Sequence, residues 1–319
     1  MNVFEKVRSA CGWVAEEARF VHVDQSALEE LAHRLTSIEV PPESADPTQF
    51  RLKDDPTTIS FVFCMDAINF GSGWFPELQK RNGRSGYLSL AGALRDHFES
   101  NGEFDAGTLR AMTAADCARI LEQSSPTPAI WELMDLFARS WRDLGELLEL
   151  EFGGSLFSLV DSAEQHAANL VDCLVRMPLY QDAVSYRGRE VPFYKRAQIT
   201  CSDLAMAFEG EGPGRFDDLD QLTLFADNLV PHVLRMEGVL LYEAELLARI
   251  DAGELIPVGS EEEVEIRAVA LHAVESMASI VKGSPGELLP YEIDHRLWAY
   301  GQNKAIKSRP RHRSRSTFY

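Results

Sequence analysis

The chain has 319 residues and a net charge of −19, with 45% hydrophobic and 25% charged residues, enough for a real core in one large domain or two ordinary ones. No apolar run approaches the length of a membrane span, and so acidic a chain disfavours broad binding to nucleic-acid backbone. The opening MNVFEKVRSACGW mixes acid and base and is no secretory signal, and five scattered cysteines without a CxxC pair fit reduced thiols and a cytoplasmic location. These cysteines and the eight histidines form no ligand array, so no metal is expected.

Helical periodicity runs through most of the chain. Residues 3–18 and 26–36 read as amphipathic helices, the second opened by Ser26 as an N-cap. Residues 39–57 read as a Pro-rich polar loop, and Thr58–Phe63 is the best strand candidate. Helices follow at 86–100, at 113–123 with Thr113 as cap, at 129–150 and at 162–176. Val184–Val191 reads as a small hairpin around Gly188, followed by a helix capped near Thr200 or Ser202 and a GEGPG linker at 210–214. Leu222, Phe225, Leu229 and Val230 stand at helical spacing, and Pro231 ends that helix and opens the next. Residues 259–283 start with Ser260 and the acidic run EEEVE, which reads as a capped, solvated helix start. The expectation is a mainly α protein, a single helical domain over 1–301 with few short strands. Residues 302–319 hold six Lys/Arg and no acid, leaving −25 on the rest, and read as a flexible basic tail.

Asp227 is the most informative residue. The predicted helix would put it in the last turn, where the carbonyl end of the dipole repels a carboxylate. A charge held against its local preference is a candidate for function, and the alternative is a surface Asp or one bonded to nearby backbone. Three further segments set polar groups among aromatics. Asp66 and Asn69 sit in FVFCMDAINFGSGW, and brace its GSG turn or face a ligand. Lys195 and Arg196 follow Phe193 and Tyr194, and are either a solvated basic pair or a phosphate site. Asp294 and Trp298 share a helix face, suited to a flat cationic ligand or to a cap packed on a core tryptophan.

In combination, DAINFGSGW, FYKRAQ, LTxFADNxxPxxL and DxxLW resemble the queuosine salvage proteins, from the first helix to Trp298. The resemblance implies a mainly helical fold like that of the helix-hairpin-helix DNA glycosylases. It implies N-glycosidic hydrolysis of queuosine 5′-monophosphate to queuine and ribose 5-phosphate, without a cofactor, by a monomer that binds neither membrane nor nucleic acid strongly.

The substrate's base is a 7-deazaguanine, so its departure cannot be assisted by a proton on N7. Positive charge grows on the ribose as the bond breaks, and a carboxylate near C1′ stabilises it and orients water. The resemblance gives this role to Asp227 and sets Phe225 against the base, although a regular helix would aim Phe225 elsewhere. It assigns the 5′-phosphate to Lys195, with Tyr194 and Arg196 behind it, and the amine or diol of queuine to Asp294, with Trp298 packed nearby. His22 is placed near the base, and Asp66 and Asn69 shape the pocket. Two other readings stand beside this one: a glycosylase acting on another modified base, and a non-enzymatic helical scaffold. The scaffold predicts that Asp227 and Lys195 lie apart or face solvent.

Overall fold

The computed structural model describes residues 1–37, 56–81 and 83–319, and the fold is mainly α. In chain order the first elements are α1 (Val3–Glu17), β1 (Val21–Val23), α2 (Gln25–Thr36), α3 (Pro56–Ala67), α4 (Gly86–Asn101), α5 (Ala106–Ala111) and α6 (Ala114–Ile120). There follow α7 (Pro128–Glu151), α8 (Leu156–Asp161), α9 (Ala167–Leu174), β2 (Ala183–Tyr186), β3 (Arg189–Pro192) and α10 (Lys195–Ala207). The chain closes with α11 (Val230–Met236), β4 (Leu240–Tyr242), α12 (Ala244–Asp251), α13 (Glu261–Val281), α14 (Pro290–Gly301) and α15 (Lys304–Lys307).

Local signals set many of these boundaries. Thr113 caps α6 in a reciprocal box with Asp116, and Ser260 caps α13 by accepting from Glu263 N at 3.3 Å. Strands β2 and β3 pair antiparallel around Arg187 and Gly188, both at positive φ. α2 starts one residue earlier than expected, capped by Asp24 rather than Ser26. The helix expected over 162–176 is confined to α9.

Side chains gather into two cores. One is built by α3 through α9 and a face of α10. The other is built by α1, α2, α11, α13, α14 and the β2–β3 hairpin. α13 is buried on nearly every side, as the central helix of such a core should be. Its expected solvated acidic start is half right: Ser260 caps it, but Glu263 and Glu265 are fully buried. Glu265 Oε2 accepts from the backbone N–H of Arg19, Phe20 and Val21, and Oε1 from Tyr186 Oη. These bonds replace the lost water.

Two elements depart from expectation. Thr58–Phe63 belongs to α3, not to a strand. It is buried almost throughout, so it shows neither a helical nor an alternating period. The loop expected over 39–57 falls largely outside the described residues, and its last two residues open α3. The second departure, at 222–229, lies in the site.

The basic end is also not a free tail. His232 Nε2 contacts Ile306 O at 3.0 Å, Ile256 N donates to Arg313 O at 2.9 Å, and Gly71 N donates to Tyr319 O at 3.0 Å. His312, Ser314, Ser316 and Tyr319 are buried. Gly73 makes room for this strap, since a Cβ there would lie 2.3 Å from Ser314 O. Among the described residues no helix is long and apolar enough to cross a membrane, and the five cysteines are free thiols.

Candidate active site

The four sequence blocks meet at the seam between the two cores. α10 begins at Lys195 rather than near Thr200 or Ser202, and Tyr194, at φ +51°, turns the chain into it. A left-handed tyrosine is strained, by about 1–3 kcal/mol. The turn puts Lys195 and Arg196 in the first turn of a helix, where the dipole disfavours cations. The carbonyls at the end of α3 offset this. Lys195 Nζ donates to Asn69 O at 3.0 Å, and Arg196 Nη1 donates to Ala67 O at 2.6 Å and to Ser140 Oγ at 3.2 Å. Arg196 Nη2 donates to the Leu179 carbonyl.

The Arg196 guanidinium lies 4.2 Å from the Tyr180 ring centre and 4.7 Å from that of Phe70. These contacts make Arg196 a buried strut behind Lys195. Lys195 is 5% exposed and its charge is met by Asp227, Asp66 and Asp294. Burial pulls the ammonium below its ordinary pKa, and the three carboxyls act against that shift.

Residues 222–229 form no helix. They run between the cores, with Leu222 and Phe225 packed into the first and Leu224, Ala226 and Leu229 into the second. α11 starts at Val230, with Pro231 in its first turn. Asp227 thus precedes a helix start instead of closing a helix, and the expected dipole conflict is absent. Its Oδ1 accepts from Leu229 N at 2.7 Å and Val230 N at 2.9 Å, meeting N–H groups that a helix start leaves unpaired. Its Oδ2 has no hydrogen bond or ion pair among the described residues. The distortion that the Phe225 assignment needed is present, because the helix is gone.

Asp294, on α14, is 4% exposed and its Oδ1 accepts from Phe225 N at 3.2 Å. Burial pushes its carboxyl well above the ordinary range, and the charge of Asp227 pushes it further. Both effects favour the neutral form of Asp294 relative to an ordinary carboxyl. One turn on, Trp298 meets Tyr87 of α4 edge-to-face at 5.9 Å, joining the two cores. Asp66 is fully buried, with its pKa raised to about 6 by burial against the opposing charge of Lys195, and Asn69 Nδ2 donates to its Oδ1 at 3.4 Å. His22 sits on β1 and faces solvent, 3.6 Å from Glu243, and among the described residues no contact links it to the Asp227 cluster.

Three residues outside the sequence expectations hold this geometry. Arg267 on α13 is fully buried, and its Nη1 and Nη2 reach Asp182 Oδ1 and Oδ2 at 2.9 and 2.7 Å. Its Nε donates to Ala226 O at 3.0 Å, and Asp182 Oδ2 also accepts from Lys195 N at 3.2 Å. One ion pair thus fixes the backbone at Lys195 and the residue before Asp227. Gln198, also buried, stitches the same two segments: its Nε2 reaches Thr223 Oγ1 and its Oε1 accepts from Thr223 N, both at 3.0 Å. A lone arginine within VEIRAVALHAV was the available signal for Arg267.

Residues 49–319 match the family described as queuosine salvage protein. The chain belongs to this family. The match includes the C-terminal strap, which the sequence resemblance had left out. A queuosine 5′-phosphate N-glycosylase/hydrolase of Sphaerobacter thermophilus is 34% identical over 311 residues, 96% of this chain and 95% of that protein. Proteins of the same description from Dictyostelium discoideum and Bos taurus are 32% and 29% identical, over 100% and 98% of both chains. Among the described residues no group of three or more His, Cys, Asp or Glu is placed to hold a metal ion.

Proposed function

We propose that the protein hydrolyses the N-glycosidic bond of queuosine 5′-monophosphate, releasing queuine and ribose 5-phosphate. The observation that carries this reading is Asp227, tethered through one oxygen and open at the other, on the segment that Asp294 holds through the backbone N–H of Phe225. The related proteins described as queuosine 5′-phosphate N-glycosylase/hydrolase give the substrate.

In this mechanism the bond between C1′ and the base nitrogen breaks with its electron pair leaving on the base. Asp227 stabilises the oxocarbenium-like ribose, and its open Oδ2 accepts a proton from the water whose oxygen bonds to C1′. The departing 7-deazaguanine takes up one proton at the nitrogen it leaves through, and Asp227 gives up the one it took from water, so that one water is consumed and the carboxylate is restored. Asp294, whose burial favours its neutral form, we assign to hydrogen bonding with the base or its diol rather than to the amine. Lys195 holds the charge of the neighbouring carboxyls in place, and Phe225 and Trp298 supply aromatic surface. The acidic body suits a single nucleotide better than a duplex, and we take the working unit to be a monomer.

Asp227→Asn tests the assignment. Turnover should fall by at least about 10³-fold, as when an electrostatic group at the reacting centre is removed, with the melting temperature nearly unchanged. Queuine release within a few-fold of wild type would remove Asp227 from the chemistry.

A further inference from the structure

We propose that Arg311, carried on the C-terminal strap, is the cation that receives the 5′-phosphate of the substrate. The proposal rests on the hydrolase reading above and moves the phosphate away from Lys195.

The strap brings Arg311 to Asp227 through anchors on either side of it. Before it, Arg235 of α11 donates to Pro310 O. After it, Asn228, the neighbour of Asp227, reaches His312 O at 3.4 Å. The carboxylate whose charge acts on Arg311 is Asp227. Its fellow arginines are differently placed: Arg313 donates to Gly253 O at 2.8 Å, Arg315 pairs with Glu77 and Glu132, and Arg309 is exposed. Arg311 is half-buried, yet it has no hydrogen bond or ion pair among the described residues. A half-buried guanidinium that no protein acceptor meets is left open to an anion. The planar fork of arginine fits a phosphate by two parallel bonds.

Lys195 lacks this freedom. Its ammonium already donates to Asn69 O and is surrounded by Asp66, Asp227 and Asp294. Three carboxyls thus act on Lys195, against the single one that acts on Arg311. One ribose separates C1′ from the phosphate, so a carboxylate at the first and a cation at the second must be near neighbours without being a contact pair. The anchors at Pro310 and His312 hold Arg311 beside the Asp227 segment, and no ion pair within 4.0 Å joins the two among the described residues.

The test compares wild type, Arg311→Ala, Arg311→Lys and the exposed control Arg309→Ala. Each is assayed with queuosine 5′-monophosphate and with queuosine, and each is titrated with ribose 5-phosphate by calorimetry. Arg311→Ala should lose about 10²-fold in kcat/KM on the monophosphate, in line with a charge-assisted bidentate contact, and change little on the nucleoside. Its affinity for ribose 5-phosphate should fall at least tenfold, with Arg311→Lys between it and wild type and Arg309→Ala unchanged. Equal losses on both substrates, or unaltered ribose 5-phosphate affinity, would overturn the phosphate assignment even where wild type turns over. Should wild type release no queuine while Arg311→Ala still loses ribose 5-phosphate, the phosphate site stands and the hydrolase reading falls.

Discussion

At the start of α10, Lys195 and Arg196 are enclosed and each donates to carbonyls at the end of α3. In the strap, Arg311 is half-buried, yet no protein acceptor meets it among the described residues. In the sequence the first reads as a solvated basic pair or a phosphate site, and the second as a flexible basic tail. Burial alone separates neither from a core feature. What separates them is whether the buried charge has its partner inside the protein, which makes it structural, or lacks one, which leaves it open to a ligand.

Predictions at these two regions follow from that difference. The largest effect is expected where the α10 corner is anchored. Arg267→Leu leaves Asp182 buried without its partner and should cost about 3–5 kcal/mol of unfolding free energy, read by denaturant titration. Activity should fall with it, because Ala226 and Lys195 lose a common anchor. A stable, fully active variant would show that the ion pair does not organise the site.

Lys195→Met should lower kcat/KM by about 10²-fold on queuosine 5′-monophosphate and on queuosine alike, since its neighbours are carboxyls. A loss confined to the monophosphate would return the phosphate to α10 and break the contrast with the strap.

The two regions should also respond to pH with opposite sign. Burial holds the Asp66 carboxyl protonated up to about 6, against about 3.9 in an unfolded chain. The native state then binds the extra proton between those values, so stability falls as pH rises through that window, by on the order of 2 kcal/mol. Asp66→Asn should flatten this slope in melts taken across pH 4–7. Burial lowers His312 of the strap to about 3 and His232 beneath it to about 4. Both stay neutral while their unfolded counterparts protonate near 6.5, so their contribution is whole above 6.5 and is lost as pH falls. An unchanged slope in Asp66→Asn would mean that the carboxyl is not held protonated.

The smallest effect belongs to Gly73→Ala, whose methyl meets the Ser314 carbonyl. It should shift the strap, raising KM for the monophosphate several-fold while the rest of the fold holds. Unchanged KM would detach strap docking from substrate binding.

Signals carried by neighbouring residues were legible: the caps at Thr113 and Ser260, the hairpin at Gly188, and the four blocks that converge on the site. Signals set by distant packing were not. Leu222, Phe225, Leu229 and Val230 keep helical spacing, but two cores compete for the segment and draw it out. The apolar run of α3 is enclosed on all sides, which erases its period. The strap alternates buried His312, Ser314 and Ser316 with more exposed arginines, a strand-like pattern hidden because its inner residues are polar. Asp227 stood out in the sequence for a helix that is absent, and its distinction in the structure is the oxygen left unpartnered among the described residues after capping α11.

The most direct test is chromatographic detection of free base after the purified protein is incubated with queuosine 5′-monophosphate, beside guanosine 5′-monophosphate. The account predicts queuine and ribose 5-phosphate in equal amounts from the first and no base from the second. Absence of queuine from protein that is folded and binds the nucleotide would contradict it.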